Sequence, residues 1–197
     1  MITLYFAPRS RAFAPLWLLE EAGLKYELKR LDFDKDEHKS PEVLNLNPFG
    51  KVPTLTDGKI ALSERAAICT YLADRYALGQ LAPRLDDQQR GEYLRWAFFS
   101  VGVLEPLFLA KFMHLDVPPA QASWGTFETA NAVMNDALAQ GPYLLGKQFT
   151  AADVLMGTMI RWGLMWELLA GEHLPGYVQR LESRDAFKRA QAVEAAS

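Results

Sequence analysis

The chain of 197 residues has one cysteine, Cys69, and three histidines. One thiol cannot close an intramolecular disulfide or supply a multi-cysteine metal site. A reducing, cytoplasmic setting and the absence of a bound metal are therefore expected. Basic charge is in short supply too, since 21 Lys and Arg stand against 24 Asp and Glu, a net charge of −3. A surface that tracks nucleic-acid phosphates needs a basic face or stripe, so no nucleic-acid partner is expected. No run reaches the roughly 18 apolar residues of a membrane-spanning helix. The longest candidates are interrupted by Glu105 and Arg161, and no membrane association is expected. The opening Met-Ile-Thr-Leu-Tyr-Phe lacks the charged leader and long apolar stretch of a signal peptide. Internal repeats and low-complexity stretches are also missing.

What is present is an ordinary globular composition, 50% hydrophobic and 23% charged, in a chain long enough for one large domain or two small ones. Residues 2–6 are β-branched and aromatic and stop before Pro8, which predicts a strand. An apolar helical run over 11–22 ends at Gly23, with Pro15 making its first turn irregular or delaying its start. Residues 26–33 alternate as a second strand, and a polar stretch follows through Ser40. Asp57-Gly58 between two apolar runs predicts a hairpin over 52–62. Ser63 is placed to cap a helix through Tyr76, with Ala67, Ile68, Tyr71 and Leu72 on one face.

Strand signals stop at residues 78–87, where Gly79, Pro83 and Asp86-Asp87 form a polar connection. Helices are expected over 88–115, interrupted at Pro106, over 119–139, from Thr150 towards Leu169, and after Pro175. The third has a complete start signal: Thr150 and Asp153 form a capping box, with Phe149 and Val154 at the staple positions. Its low polarity marks it as the buried centre of its domain. The expected organisation is an α/β domain at 1–77, a linker at 78–87 and an all-α helical-bundle domain at 88–197.

Two segments suggest chemistry. In Gly50-Lys51-Val52-Pro53-Thr54-Leu55, a proline at a strand start is either an edge residue in trans or a cis bond. A cis Val52–Pro53 bond would leave the Val52 backbone free to pair with an extended peptide. In Leu62-Ser63-Glu64-Arg65-Ala66-Ala67-Ile68, a helix N-terminus offers N–H groups and partial positive charge to a carboxylate. Glu64 could take an ammonium group and Arg65 a carboxylate, which together would recognise an amino-acid terminus. Simple capping with solvated charges explains the same residues.

These segments, in this order after a β-α-β start, resemble the cytosolic glutathione transferases. The resemblance rests on Asn47-Pro48-Phe49-Gly50-Lys51-Val52-Pro53-Thr54-Leu55, the Leu62–Ile68 segment, Phe149-Thr150-Ala151-Ala152-Asp153 and Asp185-Ala186-Phe187-Lys188-Arg189-Ala190. It implies a thioredoxin-like N-terminal domain, a helical C-terminal domain, glutathione as co-substrate, an electrophilic and partly apolar second substrate, and a homodimer. It further implies that the Val52 backbone pairs with the cysteine of glutathione, that Pro53 is cis, and that Glu64 contacts the γ-glutamyl end. Arg65 departs from the family, which usually has serine there. Lys39 and Lys51 become partners for the glycine carboxylate, or remain solvated lysines.

For thiol activation, Ser10 in Tyr5-Phe6-Ala7-Pro8-Arg9-Ser10-Arg11 lies where many bacterial relatives place a hydroxyl, and Tyr5 matches the tyrosine-type members. The alternatives are a helix cap for Ser10 and a core residue for Tyr5. Cys69 falls on an apolar helix face and reads as a small buried hydrophobe. Phe108 and Phe112, with Phe99, Met113 and Trp166, are candidates for a second-substrate pocket or for core, and His114 reads as a surface residue. The resemblance also leaves open a glutathione-dependent peroxidase or disulfide reductase, and a non-catalytic binding or regulatory protein. An isomerase of the maleylacetoacetate type lacks its Ser-Ser-Cys signature here.

Overall fold

β1 (Ile2–Phe6) is the centre from which the N-terminal part of the fold is built. A computed structural model describes residues 1–118 and 120–196, in two compact units. The first contains Met1–Ala77 together with the residues from Arg184 onward, and the second contains Leu78–Ser183.

In the first unit, α1 (Phe13–Glu21) returns the chain to β2 (Tyr26–Arg30), which lies parallel to β1. β3 (Thr54–Asp57) runs antiparallel to β1, and β4 (Ile60–Ser63) antiparallel to β3, giving the order β2-β1-β3-β4. This is the thioredoxin-like mixed sheet. The hairpin turns at Asp57-Gly58, where Gly58 has φ +61°. α1 begins at Phe13, beyond the irregular turn that Pro15 implies, and ends with Gly23 at φ +61°. β2 is shorter than the alternation predicts, because the chain turns away once Leu31 N–H has bonded Phe6 O at 2.8 Å.

The polar stretch after β2 has structure that its composition does not announce. A 3₁₀ turn at Glu37–Lys39 precedes α2 (Pro41–Leu46), whose N-cap Ser40 accepts from Val43 N–H at 3.4 Å. Pro41 sits in the first turn, where no donor is needed. α3 (Arg65–Tyr76) starts after Ser63, which stays in β4, and its N-cap is Glu64 with no side-chain capping bond.

The chain after Pro175 forms two helices, α8 (Leu174–Glu182) and α9 (Asp185–Ala196). α9 belongs to the first unit, whereas the domain boundary expected from sequence assigned it to the helical part. The reason is α1, which is apolar nearly all round and therefore needs a cover on both sides. Phe187 of α9 meets Trp17 and Phe13 edge-on, with ring centroids at 4.9 and 5.4 Å. Arg184 grips Glu21 with two bonds of 2.6 and 2.7 Å, and Arg189 bonds Glu20 at 2.8 Å.

Residues 78–87 are part of the second unit, with Leu81, Ala82 and Pro83 buried. α4 (Arg90–Phe99) continues through a π-helical turn at Ser100–Leu104 into α5 (Glu105–Phe112). Pro106 does not interrupt this stretch. It lies in the first turn of α5, just after the wider π turn has shifted the hydrogen-bond register, so its missing N–H breaks no ladder. By length and composition alone, Arg90–Phe112 is apolar enough to cross a bilayer, at mean hydropathy 1.3. Here it packs against α7 (Ala151–Met165), with Tyr93, Trp96 and Leu104 fully buried. α6 (Phe127–Ala139) starts later than expected, because Thr126 caps it by accepting Thr129 N–H at 3.2 Å. Pro119, within the expected span of that helix, lies outside the described residues.

α7 is the buried axis of the unit, and Asp153 in its first turn is fully buried. Its Oδ2 accepts from Thr150 N–H (2.8 Å) and the Thr150 hydroxyl (3.3 Å), its Oδ1 from Leu144 N–H (3.0 Å) and the Tyr177 hydroxyl (2.9 Å). The carboxylate thus joins α7, α8 and the 140–150 loop. Burial pushes its carboxyl up to about 6, against the pull of the four donors. Because the folded value lies above the unfolded one, this group favours the fold at acid pH and gives up that contribution as pH rises through about 6. Asp153→Asn places an amide against donors and should cost about 2 kcal/mol at pH 7 in urea unfolding. The margin between wild type and variant should widen on acidification below pH 6.

Candidate functional site

The strand register brings the segments singled out from sequence to one end of the sheet. Tyr5 of β1 pairs with Thr54 of β3, which pairs with Ser63 of β4. β1 therefore leaves the sheet towards Ser10, β3 enters it from Val52-Pro53, and β4 leaves it towards Glu64, all at the same edge. With neighbouring strands about 4.8 Å apart, these backbone segments lie side by side.

The loop before β3 is shaped by the buried amide of Asn47. Its Nδ2 donates to Lys51 O and Thr54 Oγ1, both at 3.0 Å, and its Oδ1 accepts from Phe49 N–H at 3.1 Å. Gly50 closes the turn at φ +56°, where an added Cβ would stand 3.0 Å from His38 O, so only glycine fits. The Val52–Pro53 peptide is cis. The β3 ladder begins at Thr54, and the Val52 N–H and C=O have no hydrogen-bond partner among the described residues. Lys51 is exposed beside them.

Glu64 is exposed at the start of α3, with φ 66° and ψ 113°. For a residue with a side chain this backbone costs about 1–3 kcal/mol, and it persists where surroundings impose it, often at ligand clamps. Arg65 turns the other way and is 3% exposed, so its guanidinium is not displayed to solvent at the helix start. Lys39 is exposed and ion-paired to Asp36 at 2.8 Å. The sequence reading passed over His38, whose ring lies 4.3 Å from that of Phe33 and whose Nδ1 is buried with no hydrogen-bond partner among the described residues. Its only sequence signal was its position beside Lys39.

The two activation candidates differ in what holds their hydroxyls. Ser10, partly buried between β1 and α1, donates to Ala7 O at 2.6 Å and accepts from Ala12 N–H at 3.1 Å. Tyr5 is buried against Leu31, Val43, Leu46 and Val52. Its hydroxyl donates to Glu42 Oε1 at 3.0 Å, and Glu42 is also bonded by Lys29. Burial first, and the Glu42 carboxylate second, hold the Tyr5 phenol above its ordinary range. Burial likewise pushes the Cys69 thiol far up.

In the helical unit, Phe108 and Phe112 part company. Phe108 is core, the second of the two places the sequence leaves open for it. It stacks with Phe127 at 6.2 Å and helps Leu169 fill the space that Gly163 leaves, where an added Cβ would stand 2.4 Å from Leu169 Cδ1 and 2.9 Å from Phe108 Cζ. Phe112 is 51% exposed and meets the half-exposed Trp166 edge-on at 5.0 Å. His114 is exposed at the end of α5, in left-handed backbone.

Residues 1–74 match the family model described as the N-terminal domain of glutathione S-transferase. "Glutathione S-transferase 2" of Anopheles gambiae is 35% identical over 161 residues, covering 78% of this chain and 76% of that protein. "Disulfide-bond oxidoreductase YfcG" of Escherichia coli K12 is 30% identical over 168 residues, with 78% and 76% covered. A glutathione transferase family member from Pseudomonas fluorescens, solved with two glutathione bound, superposes at TM-score 0.78 and 26% identity, covering 96% of this chain and 91% of that one. With this sheet edge and these relatives, the chain belongs to the glutathione S-transferase family.

Proposed function

We propose that the protein binds glutathione at the sheet edge and conjugates it to an electrophilic, partly apolar compound. The observation that carries the reading is the open Val52 backbone beside cis-Pro53, flanked by Ser10 and Glu64. An extended peptide can pair with Val52 as an added strand does. The exposed carboxylate of Glu64 suits the γ-glutamyl ammonium, and Lys51, Lys39 and His38 suit the glycine carboxylate. Arg65 is assigned a supporting place beneath the start of α3, not a ligand contact. When bound, glutathione supplies the nucleophile: its sulfur forms a bond to an electrophilic carbon and the thiol proton is released.

The work of the protein is to stabilise that anion. A free thiol near pKa 8.5 is only a few per cent ionised at neutral pH. To donate to sulfur, the Ser10 hydroxyl exchanges its bond to Ala7 O, while its lone pair keeps the Ala12 N–H. A bond to an anion is worth about 1.5–3 kcal/mol and a neutral one about 0.5–1.5, so the net gain is about 1–1.5 kcal/mol, or one pKa unit. The same exchange at Tyr5 gives up a bond to a carboxylate and gains almost nothing. Ser10 is therefore the activating residue in this reading, and Tyr5 packs under Val52 and ties β1 to α2. The enzyme is taken to act in the cytoplasm.

The likeness to a disulfide-bond oxidoreductase favours a second reading, glutathione-dependent reduction of disulfides or peroxides, which needs the same thiolate. Turnover of a disulfide or peroxide panel, with none on electrophiles, would select it. Glutathione binding without turnover of either would select a binding or regulatory role.

Calorimetric titration should show glutathione binding in the millimolar range or tighter, and Glu64→Ala should weaken it about tenfold, as loss of a charged hydrogen bond does. No heat from wild type at millimolar glutathione would refute the site. Ser10→Ala should raise the bound thiol's pKa by about one unit and lower conjugation near pH 7 about tenfold, with recovery at alkaline pH. Tyr5→Phe should leave that pKa in place, and a reversed pattern would make Tyr5 the activating group. The protein is also taken to form a homodimer, as its family suggests. Light scattering at micromolar concentration should give twice the monomer mass, and a monomer would contradict this.

A further inference from the structure

The turn that carries Ser10 is held by a residue from the far end of the chain. Arg9 has φ 54°, a left-handed backbone that residues with side chains avoid unless neighbours impose it. The neighbour is Glu194 in α9, 185 positions away, whose Oε1 accepts from Arg9 N–H at 2.8 Å. α9 is a firm base for this contact, fixed to α1 through Phe187, Arg184 and Arg189. Ser10 follows Arg9 directly, and both of its hydroxyl contacts, Ala7 O and Ala12 N–H, lie within the same turn. The direction of the hydroxyl is thus set by the peptide planes that Glu194 holds.

We propose that Glu194 is a positioning residue for glutathione activation: by accepting the Arg9 N–H it fixes the left-handed turn that aims the Ser10 hydroxyl. The proposal rests on Ser10 as the activating group. The Glu194 carboxylate is also a negative charge on the turn, which by itself disfavours a nearby thiolate. The two roles have opposite signs when the side chain is removed. Loss of positioning raises the thiol pKa, and loss of charge lowers it.

The test uses the full chain with glutathione, reading the ultraviolet thiolate signal against pH, together with kcat and KM for an aryl halide. Glu194→Ala should raise the thiol pKa by about one unit and lower kcat near neutral pH about tenfold, with KM for glutathione within about twofold. Glu194→Asp keeps the charge but falls short of the N–H, and should raise the pKa in the same direction. Glu194→Gln keeps an acceptor oxygen and should stay within about twofold of wild type. Arg9→Gly, added to Glu194→Ala, should recover most of the loss, because glycine takes this φ unaided. A pKa that stays or falls in Glu194→Ala, equal damage from Gln and Ala, or no rescue by Arg9→Gly would overturn the proposal. A wild-type thiolate signal that Ser10→Ala does not move would instead overturn the Ser10 assignment. Absence of that signal in wild type would overturn the functional reading itself.

Discussion

One buried amide, that of Asn47, sets the geometry on which the site depends. A loop that must expose the Val52 backbone cannot also spend that backbone on its own hydrogen bonds. Its remaining polar groups still need partners once buried. The Asn47 side chain supplies them, with its donors on Lys51 O and Thr54 Oγ1 and its acceptor on Phe49 N–H. Thr54 Oγ1 adds a 2.9 Å bond to Lys51 O and closes the ring of contacts. The loop is thereby rigid on its inner side and open on its outer side. An aliphatic residue at 47 would remove the acceptor of Phe49 N–H and leave Lys51 O and Thr54 Oγ1 with only each other, so the loop would lose three of its four tethers.

Much of this was legible in the sequence, for reasons that can be stated. The Asp57-Gly58 hairpin, the Thr150/Asp153 box and the Gly23 stop are local signals, decided by a few neighbouring residues. Local signals survive without knowledge of the fold. α2 was missed because six residues give little periodicity, and its helical state depends on the Ser40 cap and Pro41. The π turn before Pro106 was invisible because it belongs to the packing of α4 and of the turn itself against α7, which the local sequence does not announce. The membership of α9 was misjudged for a related reason: sequence order suggested continuity with α8, but the apolar surface that Phe13 and Trp17 give α1 had a stronger claim on Phe187.

The site was legible in its backbone parts and less so in its side chains. Val52, Pro53 and Glu64 were singled out from motif and position, and the strand register brings their backbone segments side by side. For Ser10 and Tyr5 the sequence gives a hydroxyl at each place but not its partners. Only three-dimensional structure shows that one bonds a neutral carbonyl and the other a carboxylate, and that difference separates them. Arg65 illustrates the same limit: a charged residue at a helix start reads as exposed, yet it is buried. Charge does not reveal direction.

The burial of Cys69 has a consequence for the proposed reaction. Its sulfur is fully enclosed in α3, and the low-dielectric surroundings keep it protonated far above neutral pH. A protonated, inaccessible sulfur is neither alkylated nor oxidised. In the proposed chemistry, then, the nucleophilic sulfur is always a borrowed one, and it leaves with each product. Electrophiles that would silence an enzyme with its own catalytic cysteine find no such target in the folded chain. In that chemistry the one thiol of the chain is shielded from electrophiles by packing alone.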